Sequence, residues 1–403
     1  MIDVSPYISK PEYCTGCMSC VAICPVDAIF ISENNYGFDE PIINESRCIG
    51  CRLCSLYCPA IIMNRTMSKN LKVIALKRKN TKKRKESQSG GAAALFAEQI
   101  INDGGSVYGV ANTQDNIVSY VRVDKVENLS IIKKSKYVQA KISKDIFQNI
   151  YADVNRRISV LFCGTPCQVA GVIQYLLYKN CNLDNFYTLD FICHGVPSPK
   201  LFQDYLLLIS ENKEIIQDFN FRDKRFGWHD HVCSWKLNGH EYFSRDYVNL
   251  YYSHLELRES CYNCIYASVS RVSDITVGDA WGVENKYRWF DDNNGVSVII
   301  VNSSKGLSLY SKINEAEIID IALSDLNQPN FYAPTQKPGN YIDFWADYHT
   351  YGLKYCLSKY CTHHLHNDKY TISNILNNTI RNKLISIRCI ILNFLQNLCG
   401  EIK

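Results

Sequence analysis

The chain has 403 residues, of which 46% are hydrophobic and 21% are charged. This length and balance are typical of a globular protein of two or three domains and exclude an intrinsically disordered one. With 44 Lys and Arg against 40 Asp and Glu, the net charge is only +4, which does not favour nucleic-acid binding. No secretory leader precedes the 19 Cys, so we expect a cytoplasmic protein with reduced cysteines.

Two cysteine runs near the amino terminus share one spacing, Cys-x-x-Cys-x-x-Cys-x-x-x-Cys-Pro. Three thiolates at i, i+3 and i+6 wrap one [4Fe-4S] cluster, and the fourth cysteine, held by the following proline, reaches the other cluster. We therefore predict two [4Fe-4S] clusters. The predicted ligands are Cys14, Cys17, Cys20 and Cys58 for one cluster, and Cys48, Cys51, Cys54 and Cys24 for the other. Structural zinc is the weaker alternative, because one zinc site needs only four ligands.

The pattern of apolar residues divides the chain into four predicted segments. Residues 1–66 form an α+β module of the bacterial ferredoxin type, and residues 67–89 a basic linker with a first strand. Residues 90–329 alternate strands and helices, which predicts an α/β domain with a mostly parallel sheet. Residues 330–403 are predicted to be a helical C-terminal extension. We expect no transmembrane segment.

Cysteines also follow short apolar strands in the α/β segment. The strands at residues 158–162 and 186–192 each lead into a cysteine-bearing loop. Because open α/β sheets place ligands at the carboxyl ends of their strands, we expect the loops to meet. With a later Cys-x-x-Cys pair, the cysteines are Cys163, Cys167, Cys193, Cys261 and Cys264. Four of them could hold a third [4Fe-4S] cluster; alternatively, they fill space as small hydrophobic side chains.

A glycine-rich segment precedes a predicted alanine-rich helix. Ser89, Gly90 and Gly91 stand where backbone N–H groups and the helix dipole would suit a phosphate, although such a segment is often only a turn. Just before it, basic residues are concentrated in a run at residues 69–85. This run is either a docking patch for an acidic electron carrier or a solvated linker.

Two other features are candidates for ligand binding and proton transfer. Arg222, Lys224 and Trp228 lie in a segment that mixes cations with aromatic rings, which suits an anionic ligand with a flat ring system; the alternative is an exposed hairpin turn. His194 is the candidate catalytic acid or base, since imidazole exchanges a proton near neutral pH. A structural role, in which it hydrogen-bonds its own loop, is the alternative.

The chain resembles the coenzyme F420 hydrogenase/dehydrogenase beta-subunit family, with a fused N-terminal two-cluster ferredoxin. The segments that carry this resemblance are, in order, SQSGGAAAL, FCGTPCQVAG, DFICHGVPSP, NFRDKRFGW, CYNC and SDITVGDAWG. The resemblance implies that residues 90–329 bind FAD and include the ligands of an inner [4Fe-4S] cluster among the five loop cysteines. It also implies that the glycine-rich segment lies at the flavin and that the segment around Arg222 borders the active cleft.

These features together predict an iron–sulfur flavoprotein oxidoreductase. Clusters change by one electron and a hydride carries two, so a flavin is needed between them. The hydride would pass to coenzyme F420 or another organic acceptor. The expected partners are a redox protein or a small-molecule hydride carrier, not nucleic acid, in a homo- or hetero-oligomer. The alternative is a non-catalytic electron-transfer or redox-sensing subunit, because a fold alone does not decide which chain carries the chemistry.

Overall fold

The computed structural model describes residues 10, 12–61, 71–113, 115–210 and 215–361 and, beyond these, only 380, 384–385, 387–388 and 391. Most of the predicted helical extension after residue 361 therefore lies outside the described residues. In the described part of the chain, no helix combines the length and the apolar character that crossing a membrane requires.

Residues 12–61 form the predicted α+β module, which has two paired strands and two short helices. Its elements are α1 (Ser19–Ile23), β1 (Ile29–Glu33), β2 (Asp39–Ile43) and α2 (Leu53–Leu56). The strands pair antiparallel, with Ile31 opposite Pro41. Pro41 has no N–H to donate, which a two-stranded ribbon tolerates because one side of each strand is unpaired.

The later strands form one large sheet and one small sheet. In chain order they are β3 (Lys72–Arg78), β4 (Ser106–Asn112), β5 (Val118–Val123), β6 (Val160–Gly164), β7 (Phe186–Phe191), β8 (Gln217–Asn220), β9 (Cys233–Leu237), β10 (His240–Ser244), β11 (Ile275–Asp279), β12 (Ser297–Val301) and β13 (Ala316–Asp320). The described strands of the large sheet lie in the order β13-β3-β12-β11-β7-β6-β4-β5, and β8, β9 and β10 form an antiparallel sheet.

The large sheet is mixed, and the prediction of a mostly parallel sheet was wrong in this respect. Its centre, β4-β6-β7-β11, is parallel. The flanking strands β5, β12, β3 and β13 pair antiparallel. Neighbouring strands that run parallel must be joined by a long crossover, usually a helix. Residues 113–117, which connect β4 and β5, are too few for such a crossover, so these two strands pair antiparallel. The segment predicted as a basic linker with a first strand contains β3, which lies inside this sheet between β12 and β13.

Helices cover both faces of the large sheet. They are α3 (Thr81–Lys85), α4 (Ala92–Asn102), α5 (Lys144–Asn155), α6 (Pro166–Tyr178), α7 (Pro199–Ile209), α8 (Asp246–Ser253), α9 (Val283–Lys286), α10 (Ser304–Tyr310) and α11 (Tyr341–Tyr360). Val160 and Phe162 of β6 pack into the core that includes α5, α6 and α7, and Leu161 packs into the core under α4. This alternation follows the two-residue period of a strand.

The ferredoxin-like module is packed into the same core as the α/β domain. Met18 and Ile23 of its helix α1 are buried in the cluster of apolar side chains that contains α5 and α6. On its other side, Tyr36 contacts Tyr341 and Trp345 of α11, with ring centroids 6.0 and 5.0 Å apart. The two parts of the molecule therefore share one continuous apolar interior.

Candidate functional site

The two cysteine runs of the amino-terminal module have the same backbone turn. Gly16 and Gly50, each directly before the second cysteine, have φ values of +66° and +69°. Met18 and Arg52, each directly after it, have φ values of +58° and +60°. Glycine adopts positive φ without strain, while such values are uncommon for other residues. The repeated spacing in sequence is thus a repeated loop in structure.

The cysteines of this module fall into two groups by their mutual electrostatic effects. We call Cys14, Cys17, Cys20 and Cys58 the proximal sulfur group and Cys24, Cys48, Cys51 and Cys54 the distal sulfur group. Burial, and next the thiolate of Cys58, raises the pKa of Cys17. Burial, with repulsion from Cys51, Cys24 and Cys48, raises the pKa of Cys54 to about 11. The last cysteine of each run therefore lies with the other run, as a two-cluster ferredoxin loop requires.

A third set of sulfurs lies at the edge of the large sheet, and we call it the inner sulfur group: Cys167, Cys193, Cys261 and Cys264. Burial raises the pKa of Cys193 to about 12, with repulsion from Cys167 and Cys264 as the next causes. Burial, and next repulsion from Cys193 and Cys264, raises the pKa of Cys261. Cys163 differs, because burial is the one cause that raises its pKa, to about 12. This separates Cys163 from the four cysteines that affect one another.

These groups are wider than the site of a single ion. Among the residues that the structure describes, no three His, Cys, Asp or Glu side chains converge closely enough to hold one metal ion. A [4Fe-4S] cluster separates its four thiolates more widely, since its own iron and sulfide atoms occupy the centre. The assignment of individual cysteines to clusters remains a prediction.

The proximal and inner sulfur groups meet across helix α6. A Cβ atom on Gly171 would lie 2.9 Å from the Cβ and 3.0 Å from the Sγ of Cys17. A glycine at this position therefore allows the Cys17 loop to lie directly on the helix. The thiolate of Cys167, in the first turn of the same helix, is among the groups that raise the pKa of Cys17.

A cavity of about 460 Å³ opens at the carboxyl ends of the parallel strands. Its walls include Cys163 near the end of β6, Cys193 and His194 after β7, and Asp279 at the end of β11. Open α/β sheets bind ligands at this edge, and the volume lies within the range of ligand pockets, roughly 300–1,000 Å³. The cavity therefore has a member of the inner sulfur group in its wall.

One end of the cavity is built for an anion. It contains the start of α4, where Gly91 has a φ of +95°, and the lysines Lys133 and Lys134. Ser87 and Gln88, 7% and 8% exposed, also line it. Within the described structure, the Ser87 hydroxyl and both polar atoms of the Gln88 amide are buried without a hydrogen-bond partner. Buried polar groups are nearly always bonded, so these atoms indicate the place of a bound ligand.

Two family models match the chain. One describes the carboxyl-terminal part of the coenzyme F420 hydrogenase/dehydrogenase beta subunit and matches residues 158–325, which include the inner sulfur group. The model of the 4Fe-4S dicluster domain matches residues 13–62. Residues 158–325 belong to the coenzyme F420 hydrogenase/dehydrogenase beta-subunit family. This beta-subunit domain follows an amino-terminal 4Fe-4S dicluster domain, as the sequence predicted, and the protein is an iron–sulfur protein.

Two known proteins resemble parts of this chain. An uncharacterized ferredoxin of Methanocaldococcus jannaschii is 39% identical over 51 residues, which are 12% of this chain and 30% of that ferredoxin. In a xenon-derivatized structure of the F420-reducing [NiFe] hydrogenase complex from Methanosarcina barkeri, one chain aligns with 64% of this chain and 85% of its own length. Its sequence identity is 16% and the TM-score is 0.45.

The glycine-rich segment of the beta-subunit domain lies at the anion end of the cavity. Ser89 and Gly91 line the cavity, but the Ser89 hydroxyl donates to the carbonyl of Val296 at 2.7 Å. Gly90 lies against the sheet, where a Cβ would be 2.1 Å from the carbonyl oxygen of Leu76. The segment therefore presents backbone to the cavity, and its side-chain donor is used internally.

The three residues predicted in the segment that mixes cations with aromatic rings have different roles. Arg222 lines the cavity and donates to Asp279 at 2.8 Å. Lys224 instead donates to the carbonyls of Arg84 and Ser89, each at 3.0 Å, and so supports the glycine-rich loop from outside the cavity wall. Trp228 is fully buried, and its indole N–H donates to Asp279 at 2.7 Å. Of these three predicted residues, Arg222 is the one in the cavity wall.

His194 lines the cavity directly after Cys193. Burial, and next the nearby His254, lowers the pKa of His194 below its usual 6.5. The imidazole is therefore neutral at neutral pH. Its backbone carbonyl accepts a hydrogen bond from Thr335 at 2.6 Å, which fixes the loop. Its predicted role as an acid or base stays a prediction.

Sequence reasoning did not single out several side chains of the cavity. Ser87 and Gln88 open the segment SQSGGAAAL, but the predicted site residues in it were Ser89, Gly90 and Gly91. The run Lys133-Lys134-Ser135-Lys136-Tyr137 lines the cavity far from any recognised motif. Its three lysines within four residues were a signal for anion binding that could have been found.

Proposed function

We propose that this protein is an iron–sulfur flavoprotein oxidoreductase. In this proposal, [4Fe-4S] clusters at the three sulfur groups exchange electrons with FAD in the cavity, and a hydride passes between the flavin and coenzyme F420 or another organic acceptor. One observation carries the proposal: the lining of one cavity combines the start of α4 with lysines, a group of aromatic side chains, and Cys193 of the inner sulfur group.

The anion end suits the diphosphate of a dinucleotide. The start of α4, an 11-residue helix, contributes backbone N–H groups that its own turn leaves unpaired. Lys134 adds positive charge to this part of the lining, and Lys133 lies beside it, paired with Glu86 at 3.3 Å. The unpartnered Ser87 hydroxyl and Gln88 amide supply donors for phosphate or ribose oxygens.

A second part of the lining suits a flat ring. It consists of Tyr137, Tyr251, Tyr252 and Trp281. Tyr137 stacks on Tyr251 with ring centroids 4.5 Å apart, and the guanidinium of Arg222 lies 5.0 Å from the Trp281 ring. Although burial alone would raise the pKa of Asp279, Arg222 holds that pKa below its usual value, so the pair remains ionised beside the ring site.

The sulfur groups follow one another toward this cavity. Cys51 of the distal group is exposed, and Cys17 of the proximal group is buried against α6. Cys167 of the inner group is in the first turn of that helix, and Cys193 of the same group lines the cavity. Electrons from a one-electron partner would therefore enter or leave at the distal group and travel within a single chain.

The residues of the chain have separable tasks in this reaction. A bound flavin would supply the conversion between single electrons and a hydride. The residues at the anion end bind the cofactor tail, while the aromatic side chains orient the ring and exclude water. His194, neutral and in the cavity wall, would hold a proton for the reaction in this proposal.

The test is turnover by the purified full chain under anaerobic conditions. Reconstituted protein should contain about twelve irons and one flavin and should transfer electrons between a low-potential dye and a hydride carrier such as coenzyme F420. Protein with about eight irons and no flavin would contradict the proposal. Bound flavin without turnover of any hydride carrier would favour the alternative, a non-catalytic electron-transfer subunit.

A further inference from the structure

Arg258 joins the ferredoxin-like module to the beta-subunit domain. It is 2% exposed. Its Nε donates to the carbonyl of Cys14 at 2.7 Å, and its Nη1 donates to the carbonyl of Asp39 at 3.1 Å. Its Nη2 lies 3.9 Å from the Sγ of Cys14. A single side chain from the larger domain therefore binds two separate segments of the smaller module.

The partners of Arg258 are neutral, and this distinguishes it from other buried arginines. Besides the two carbonyls, its Nη1 donates to the amide oxygen of Gln139 at 2.9 Å. Within the described structure, Arg258 forms no ion pair with a carboxylate. The buried arginines that do form one, each with its carboxylate partner, are Arg78 with Glu98, Arg84 with Asp292, Arg222 with Asp279 and Arg271 with Asp190.

A buried guanidinium without a counter-charge is unfavourable. Two cysteine sulfurs that can carry negative charge lie near Arg258. Cys14 is in direct contact. Arg258 is also within electrostatic range of the sulfur of Cys167 in the inner group. Arg258 thus acts on one cysteine of the proximal group and on one of the inner group.

The backbone of Arg258 is fixed between the loops that carry the inner sulfurs. Its N–H donates to the carbonyl of Val196, three residues after Cys193, at 3.0 Å. Its carbonyl accepts from the N–H of Cys261 at 2.8 Å. Gln139 contacts the guanidinium and also donates to the carbonyl of Thr15 at 3.0 Å. The position of the guanidinium is therefore determined by both modules.

We propose that Arg258 is a positioning residue that seats the ferredoxin-like module on the inner sulfur loops and supplies the positive charge shared by the proximal and inner clusters. This inference rests on the proposed function, because it requires clusters at both groups. A [4Fe-4S] cluster with four thiolates is negative and becomes more negative when it gains an electron. A fixed positive charge next to it therefore favours the reduced state.

The experiment is a redox titration of the reconstituted full chain, followed by electron paramagnetic resonance. Arg258→Gln removes the charge and retains hydrogen-bonding capacity, and Arg258→Lys retains the charge and loses the fork of donors. We expect Arg258→Gln to reduce the equilibrium constant for reduction of at least one cluster about tenfold, a 59 mV shift to more negative potential for one electron. Arg258→Lys should shift it by less than half as much.

A second variant keeps the test informative if Arg258→Gln fails to assemble its clusters. Gln139→Glu places a carboxylate beside the intact guanidinium, 2.9 Å away in the present contact, and should also shift the potential to more negative values. Arg156→Gln removes an exposed arginine at the end of α5 and should shift nothing. Unchanged potentials in both Arg258→Gln and Gln139→Glu, or equal shifts in the two Arg258 variants, would overturn the inference. Wild-type protein without clusters would overturn the proposed function instead.

Discussion

At the scale of single residues, the inner sulfur group gives the sharpest distinction. Five cysteines compete for four positions, and the sequence offers no reason to omit one of them. In the structure, Cys163 lines the cavity but stands apart from the four cysteines whose thiolates raise one another's pKa. Cys167 lies among those four and also acts on Cys17.

We expect Cys167→Ser and Cys163→Ser to differ in iron content. Loss of one ligand should remove a cluster, so Cys167→Ser should contain about eight irons per chain, while Cys163→Ser retains about twelve. Iron and acid-labile sulfide, measured on anaerobically reconstituted protein, decide between them. A loss of about four irons in Cys163→Ser would show that the ligand set is different.

Lys224 provides a test in which pH is the variable. Burial, and next the charges of Arg84 and Arg222, lowers the pKa of Lys224 from 10.5 to about 7. Between these two values the unfolded chain binds more protons at this side chain than the folded chain does. The free energy of unfolding therefore increases with pH between about pH 7 and pH 10.5 because of this side chain. Below pH 7 the side chain makes no such contribution.

The comparison is between wild-type protein and Lys224→Met. From about pH 7 to about pH 9, the thermal unfolding midpoint of the wild type should rise relative to that of Lys224→Met. Circular dichroism on matched anaerobic samples measures both midpoints. A difference between the two proteins that stays constant across this range would contradict the low pKa of Lys224.

Functional residues could be predicted from the sequence where they belong to a motif of known chemistry. Their roles could not be predicted where a side chain acts through packing. The eight cysteines of the amino-terminal module were visible in the sequence because thiolate spacing is nearly sufficient for cluster binding. Trp228 and Lys224 were also singled out, but they support Asp279 and the glycine-rich loop from outside the cavity wall. That distinction depends on burial, which sequence spacing does not encode.

At the scale of elements, the site depends on loops that leave neighbouring parallel strands. β6 and β7 are adjacent and parallel, with Cys163 opposite Leu189, so the loops after them emerge side by side. This part of the fold was predictable from the alternation of apolar strands and helices. The direction of β12 and β3 was not, because a strand buried on both faces has the same apolar pattern in either direction.

The start of α4 offers a test of the anion end. A Cβ on Gly90 would meet the Leu76 carbonyl oxygen at 2.1 Å and the Ser297 backbone nitrogen at 2.5 Å. Gly90→Ala should therefore displace the loop from β3 and β12, destabilise the fold by about 1–3 kcal/mol and release the flavin. Flavin content after gel filtration and denaturant unfolding measure the two effects.

Gly339→Ala is the matched control, since a Cβ there would have no atom within 4 Å. It should change the free energy of unfolding by less than about 0.5 kcal/mol and leave the flavin content unchanged. If Gly90→Ala also retained its flavin, the glycine-rich loop would not be part of the cofactor site.

At the scale of the whole molecule, the ferredoxin-like module and the beta-subunit domain are packed as one unit. Helix α1 of the module is buried in the core that contains α5 and α6, and Tyr36 packs on α11. Sequence analysis identified the module and the beta-subunit domain but not how they are joined. The interface between them includes Gly171 and Arg258, single residues outside any cysteine motif.

The measurement that tests the central claim most directly is an electron count. Reconstituted full-length protein is titrated anaerobically with dithionite while the flavin and cluster absorbance are followed. Three one-electron clusters and one two-electron flavin predict uptake of about five electrons per chain, with loss of the flavin band. Uptake of about two electrons with no flavin band would contradict the account, since it would leave the cavity and the inner sulfur group without a redox role.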